Sequence, residues 1–114
     1  MTAARRALGI AGEDAAAAWY EANGYEVVAR NWRCRDGELD LVVRRNRTIV
    51  FCEVKARATD AFGAPSVAVN HLKRQKLRVL AAKWLEESPV RPREIRFDVV
   101  SVLNGGVEVI EGAF

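Results

Sequence analysis

The sequence predicts a single α/β domain, residues 1–114, in which helices pack on a mixed sheet with the order α-β-β-β-α-β-β. A length of 114 residues fits one compact domain. Half of the residues are apolar, with three Trp and four Phe, which is enough for a core without disulfides or a structural metal. Helical and strand-like spacings of apolar residues alternate along the chain, which is typical of α/β proteins.

The first helix is predicted over residues 6–23. Apolar and small side chains recur there at intervals of three or four residues, as one face of a helix requires: Leu8, Ala11, Ala15, Trp19 and Ala22. Asn23-Gly24 is typical of a left-handed helix end.

Three strands are expected next, over residues 25–30, 38–45 and 48–55. Asn46 and Arg47 alone separate the second strand from the third, so these two strands should form an antiparallel hairpin. Residues 49–52 are apolar at every position, which indicates a central strand covered on both faces.

The second half of the chain contains the remaining elements. A loop with Gly63 and Pro65 is predicted over residues 58–66, followed by a helix over 67–87 that stops before Pro89. Strands are predicted over 94–103 and 107–110.

The charges indicate a polyanionic partner, although the net charge is only +3. Residues 73–83 carry five cations and no acid, and residues 30–47 carry six arginines and three acids. Cations could hold a phosphate backbone while the acids hold a metal. An ordinary solvated surface is the alternative.

Several classes of protein are disfavoured. No apolar run approaches the ~20 residues of a membrane span, and no signal peptide is evident, so we expect a cytoplasmic protein without membrane contact. His71 is the single histidine, which excludes zinc sites built on two or more histidines. Cys34 and Cys52 match no metal or redox spacing and are expected to be reduced.

The hairpin brings charged residues together at the end of its buried strand. If Asn46 and Arg47 form the loop, Arg45 pairs with Thr48, and continuing this register places Asp40 opposite Glu53. Opposed Cβ atoms lie about 4.5 to 5.5 Å apart, close enough for two carboxylates to share a divalent ion. Lys55 should point to the same face as Glu53. A salt-bridge cluster without a ligand is the alternative.

These residues carry a family resemblance. Asp40, twelve intervening residues and Glu53-Val54-Lys55 resemble the motif of the PD-(D/E)XK nuclease superfamily, although Leu39 stands in place of its proline. The chain more closely resembles the YraN family of small bacterial proteins, related in fold to archaeal Holliday junction resolvases. The matching stretches are Gly12-Glu13, Asn31-Trp32-Arg33, Gly37-Glu38-Leu39-Asp40, Phe51 to Arg57, Phe62-Gly63, Lys73 and Arg96-Phe97-Asp98.

The resemblance implies that the mixed sheet has the restriction-endonuclease-like fold. It also implies a DNA endonuclease that uses Mg²⁺ or Mn²⁺ and acts on branched or otherwise non-duplex DNA. It implies that Asp40 and Glu53 bind the metal, that Lys55 is the catalytic lysine and that Glu13 approaches the metal from the first helix. With Leu8 at 0° and about 100° per residue, Glu13 lies at about 140°, on the flank of the apolar stripe, where a plain surface glutamate is also credible. The alternative function is a non-catalytic nucleic-acid-binding or protein-interaction module.

Five cations are candidates for contacting nucleic acid: Arg33, Arg57, Lys73, Arg74 and Lys76. Lys73 falls within the apolar stripe of the second helix, so it must either snorkel to solvent or reach a carboxylate such as Glu53. Asp98 is expected to be a buried partner of an arginine. A symmetrical DNA junction would suit a homodimer, and the small size is compatible with a protein partner that supplies specificity.

Overall fold

The computed structural model describes residues 2–58 and 70–114 and confirms the single α/β arrangement with the predicted element order. The elements are α1 (Ala3–Ala22), β1 (Glu26–Cys34), β2 (Gly37–Arg45), β3 (Thr48–Arg57), α2 (His71–Glu87), β4 (Glu94–Leu103) and β5 (Gly106–Ile110). The loop predicted over 58–66, apart from Ala58, and residues 67–69 of the predicted second helix lie outside the described residues.

The five strands form one mixed sheet in the order β1-β2-β3-β4-β5. β3 pairs antiparallel with β2 and parallel with β4, whereas the β1–β2 and β4–β5 pairs are antiparallel. Residues 49–52 of β3 are all buried. The prediction of a central strand is therefore confirmed.

The two helices cover opposite faces of the sheet, and β3 contributes alternate residues to each face. Val50 and Cys52 pack in one apolar cluster with Tyr20 of α1. Ile49 and Phe51 pack in the other cluster, with the α2 residues Leu77, Leu80, Ala81 and Trp84. By the same alternation, Glu53 and Lys55 belong to the face that α2 covers.

Two element boundaries differ from the predictions. α2 begins at His71, not near residue 67, because the Asn70 side chain accepts a 2.9 Å hydrogen bond from the Lys73 N–H and caps the helix. β1 continues to Cys34 instead of ending at residue 30. Asn31 has φ 50°, yet the residues on either side of it remain paired with β2.

Gly12 sets a close contact between α1 and β3. A Cβ atom built on Gly12 would lie 2.5 Å from the Ala56 Cβ, so only glycine permits the observed approach of helix and strand. Because Glu13 follows directly, this contact also fixes how close Glu13 lies to the end of β3.

Asp98 is a fully buried structural carboxylate. Arg96 Nε donates to Asp98 Oδ1 at 2.9 Å, and the Tyr20 hydroxyl donates to Oδ2 at 2.6 Å. The predicted arginine partnership is confirmed. Burial, together with the negative charge of Asp98, raises the pKa of Tyr20 well above its usual range, so Tyr20 remains a hydrogen-bond donor.

Within the described ranges, neither helix has the length and apolarity needed to cross a membrane.

Candidate active site

The hairpin register is as predicted up to the point where the charged residues begin. The pairs run from Arg45↔Thr48 to Leu41↔Cys52. Beyond them the ladder ends, and Asp40 Oδ2 instead accepts a 2.9 Å hydrogen bond from the Val54 N–H. The predicted direct pairing of Asp40 with Glu53 is therefore replaced by a contact between the Asp40 side chain and the β3 backbone.

The backbone of β2 changes its facing at Asp40. Leu39 packs in the cluster under α2, whereas Leu41 packs in the cluster under α1. Residues two apart in a regular strand share a face, so the chain rotates between these leucines. This rotation turns the Asp40 carboxylate toward β3.

Glu53 is a buried carboxylate paired with two ammonium groups. It is 6% exposed, and its Oε1 lies 3.4 Å from Lys55 Nζ and 3.3 Å from Lys73 Nζ. A buried charge is costly unless it is paired, so these lysines account for its place at the end of the apolar strand. Of the two alternatives for Lys73, solvent or a carboxylate, the structure shows contact with the Glu53 carboxylate.

The negative charge of Glu53 acts on the Asp40 carboxyl. Burial, followed by the negative charge of Glu53, raises the pKa of Asp40 to about 7, and Glu13 and Glu38 add to the rise. The hydrogen bond from Val54 opposes the shift, because it favours the charged carboxylate. Asp40 is therefore an acid whose charge is costly in the absence of a nearby cation.

Glu13 is held at the edge of this group by β1. Its side chain is 17% exposed; Oε1 accepts a 3.0 Å hydrogen bond from Asn31 Nδ2 and lies 3.9 Å from Arg30 Nη2. The role of Asn31 was not predicted from the sequence. Its residue type could have indicated it, because asparagine tolerates a positive φ better than most residues, and such a position within a strand redirects the side chain.

The carboxylates are chemically suited to a hard divalent cation. Mg²⁺ prefers oxygen ligands, and it is usually held by one or two carboxylates while waters and substrate phosphates complete its shell. A cation would also offset the burial and the repulsion by Glu53 that together raise the pKa of Asp40. Among residues 2–58 and 70–114, no group of three or more His, Cys, Asp or Glu side chains is arranged to hold a metal.

The cations that were predicted to contact nucleic acid lie in separate parts of the structure. Lys73 forms an ion pair with Glu53. Arg33 and Lys76 line a cavity of about 460 Å³ at the β1–β2 turn, where Arg33 pairs with Glu38 at 3.2 Å. Arg74 lies elsewhere, with its guanidinium carbon 5.4 Å from the centroid of the Phe114 ring.

Arg57 lies at the end of β3 and lines a second, larger cavity. With Glu13, Lys55, Arg5 and Leu8, among others, it surrounds a volume of about 930 Å³ between the start of α1 and the end of β3. Glu13 and Lys55 connect this cavity to the carboxylate group.

Fold and site together define a class: a small α/β protein whose central strand ends in a buried glutamate paired with two lysines and linked electrostatically to an aspartate. The uncharacterised protein family UPF0102 matches residues 12–102. The chain belongs to this family, as its resemblance to YraN proteins predicted.

Close relatives are similar over most of their length. A UPF0102 protein of Beutenbergia cavernae is 57% identical over 89% of this chain and 86% of its own. One of Parafrankia is 53% identical over 83% of this chain and 80% of its own. A relative from Moorella thermoacetica is 45% identical over the whole of both chains.

Proposed function

We propose that this protein is a metal-dependent endonuclease of the PD-(D/E)XK type that hydrolyses phosphodiester bonds in branched or otherwise non-duplex DNA. The observation that carries the proposal is the approach of Asp40 to the buried Glu53–Lys55–Lys73 group at the end of β3. Paired carboxylates beside an ammonium combine a metal site with a cation for the phosphate.

In this proposal Asp40 and Glu53 hold Mg²⁺ or Mn²⁺. Glu13 approaches the metal from α1 as the third acid, although among the described residues the three do not form a ready-made metal cluster. The bound metal supplies a Lewis acid for a phosphoryl oxygen and lowers the pKa of a bound water. The raised pKa of Asp40 supports its role, because a desolvated carboxylate near other acids gains most from a cation. Asn31 positions Glu13 through its side-chain amide.

The two lysines have distinct proposed roles. Lys55 orients the attacking water and stabilises the negative charge that develops on the phosphoryl oxygens. Lys73 positions Glu53 and offers a second cation to the phosphate group. Both assignments are supported by their placement on the same carboxylate oxygen, within 3.4 Å.

The test is cleavage of labelled four-way-junction and single-stranded DNA with Mn²⁺, comparing wild type with Glu53→Gln and Lys55→Ala. We expect each change to reduce cleavage about 100-fold or more. Glu108→Gln is the matched control, because Glu108 is an exposed carboxylate on β5. Cleavage that survives both site substitutions would refute the proposal.

A non-catalytic nucleic-acid-binding module is the second candidate. It is favoured by one observation: two ammonium groups already compensate the charge of Glu53, so this carboxylate is stable without a metal. Calorimetric titration with Mn²⁺ separates the candidates. The endonuclease requires a site that Glu53→Gln removes, whereas the module requires none.

In the proposed function the protein acts in the cytoplasm, where it would meet DNA directly. A homodimer would present two sites to a symmetrical junction. A protein partner could supply specificity that one small domain has little surface to provide.

A further inference from the structure

Five arginines gather at the end of the sheet remote from Glu53, and we call them the arginine end: Arg44, Arg45, Arg47, Arg91 and Arg93. They come from the β2–β3 turn and from the segment before β4. Backbone contacts join the two segments. The Arg93 N–H donates to the Arg47 carbonyl at 2.8 Å, and Arg47 Nη2 donates to the Arg91 carbonyl at 3.3 Å.

Main-chain oxygens, not carboxylates, hold four of these five guanidinium groups, those of Arg44, Arg45, Arg47 and Arg91. Arg44 Nε donates to the Asn46 carbonyl at 3.0 Å, and Arg45 Nη1 donates to the Asn23 carbonyl at 3.1 Å. Arg91 Nη1 donates to the Ser88 carbonyl at 2.9 Å. Within residues 2–58 and 70–114, none of the five arginines forms an ion pair with a carboxylate.

The local charge balance is strongly positive. Two acids adjoin the arginines in the strand ladders, Glu26 opposite Arg44 and Glu94 opposite Thr48. In these strand ladders, two glutamates therefore lie beside the five arginines. A carbonyl acceptor orients a guanidinium without neutralising it, so the remaining N–H donors suit phosphate oxygens.

The composition of this surface favours nucleic acid over a protein partner. Protein interfaces usually have an apolar centre. Of the exposed large apolar side chains in the described part of the chain, one, Ile95, follows the arginines closely in sequence, which is too little for such a centre. Gly24, Glu26, Arg44, Arg45 and Asn46 line a cavity of about 290 Å³ here. This polar, cationic surface matches a phosphodiester backbone.

We infer that the arginine end is a second nucleic-acid contact, separate from the carboxylate site. Five residue steps along β3 separate Thr48 from Glu53, about 17 Å at about 3.3 Å per residue. One nucleic-acid strand covers that distance in about five nucleotides. The claim that one substrate contacts both the carboxylate site and the arginine end rests on the proposed function. The claim that the arginine end binds a nucleic-acid backbone does not.

The test measures binding of fluorescent 30-nucleotide single strands and four-way junctions by anisotropy, without divalent metal. We expect the triple variant Arg44→Gln, Arg47→Gln, Arg93→Gln to bind about tenfold more weakly or worse. The slope of log affinity against log salt should become shallower by about 2 for the single strand. The matched Arg→Lys triple variant keeps the charge and should keep the slope.

Three outcomes would overturn the inference. The first is a triple Gln variant that binds DNA as tightly as wild type. The second is a triple Lys variant whose slope of log affinity against log salt becomes as shallow as that of the Gln variant. The third is competition by polyglutamate as effective as DNA at equal charge, which would assign the surface to an acidic protein. If the triple Gln variant fails to fold, Arg93→Gln alone decides, because this side-chain change keeps the hydrogen bond from the Arg93 N–H to the Arg47 carbonyl.

The same proteins separate this inference from the proposed function. Normal cleavage with wild-type binding in the Gln variant refutes the second contact alone. Absent cleavage in wild type, with weakened binding in the Gln variant, refutes the nuclease and supports the second contact.

Discussion

The ammonium of Lys73 on α2 lies 3.3 Å from Glu53 Oε1 on β3, so a helix on one face of the sheet supplies the counter-charge for a carboxylate at the end of the central strand. Lys55, on the same strand as Glu53, supplies the second counter-charge at 3.4 Å. The position of α2 on the sheet therefore determines whether Glu53 in the candidate site has its second counter-charge.

Replacing Lys73 should lower stability in a way that depends on charge. We expect Lys73→Met to reduce the free energy of unfolding by about 1 kcal/mol, because the buried Glu53 keeps one ammonium while the lost partner is partly solvent-exposed. Urea denaturation measures the change. Lys73→Arg should retain most of the stability, and Lys76→Met is the control on the same helix. Equal stability of Lys73→Met and wild type would contradict the prediction.

Gly12 and Gly9 lie on the same helix, α1, and allow a matched comparison of glycine-to-alanine substitutions with opposite expected effects on stability. Gly12→Ala should destabilise the protein by about 1–3 kcal/mol, because its Cβ would lie 2.5 Å from the Ala56 Cβ and would push α1 away from β3. At Gly9 nothing lies within 4 Å of an added Cβ, so Gly9→Ala should stabilise the helix by about 0.5–1 kcal/mol. Thermal and urea unfolding test both signs, and a stabilising Gly12→Ala would contradict the close-contact explanation.

Substitutions of Asn31 should change stability in two separable ways, one through the backbone conformation and one through the lost side-chain hydrogen bond. Asn31→Ala loses the hydrogen bond to Glu13 and also places alanine at φ 50°, so we expect a loss of about 1–3 kcal/mol. Asn31→Gly relieves the backbone strain but still loses the hydrogen bond, so it should be the more stable of the two variants. In the proposed enzyme both variants should weaken Mn²⁺ binding in calorimetry. If they bind Mn²⁺ as wild type does, Asn31 does not position Glu13 for a metal.

The sequence was sufficient for the features that regular geometry determines. A two-residue turn fixes the register of β2 and β3 as far as Leu41 and Cys52, and helical spacing directs Lys73 toward the sheet. It was insufficient where the chain departs from regular geometry. The rotation at Asp40 and the positive φ of Asn31 depend on packing between β1, β2 and α1. The arginine end depends on a contact between Arg47 and Arg93 that local periodicity does not reveal.

The raised pKa of Asp40 predicts how stability changes with pH. Well below its ordinary pKa of 3.8 this carboxyl is protonated in both the folded and the unfolded chain, so it carries no ionisation penalty. Between its ordinary pKa of 3.8 and its folded value of about 7, the folded state holds the proton more tightly, so stability falls as pH rises. Asp40→Asn removes this titration and keeps an oxygen that can accept the Val54 N–H.

We therefore expect wild type to lose about 1–3 kcal/mol relative to Asp40→Asn between pH 4 and pH 8. Urea unfolding at several pH values measures the difference, and subtracting the two curves cancels titrations that both proteins share. Glu108→Gln should follow the wild-type curve, because Glu108 lies exposed on β5. Parallel curves for wild type and Asp40→Asn would mean that the Asp40 carboxyl ionises in the folded protein as readily as in the unfolded chain.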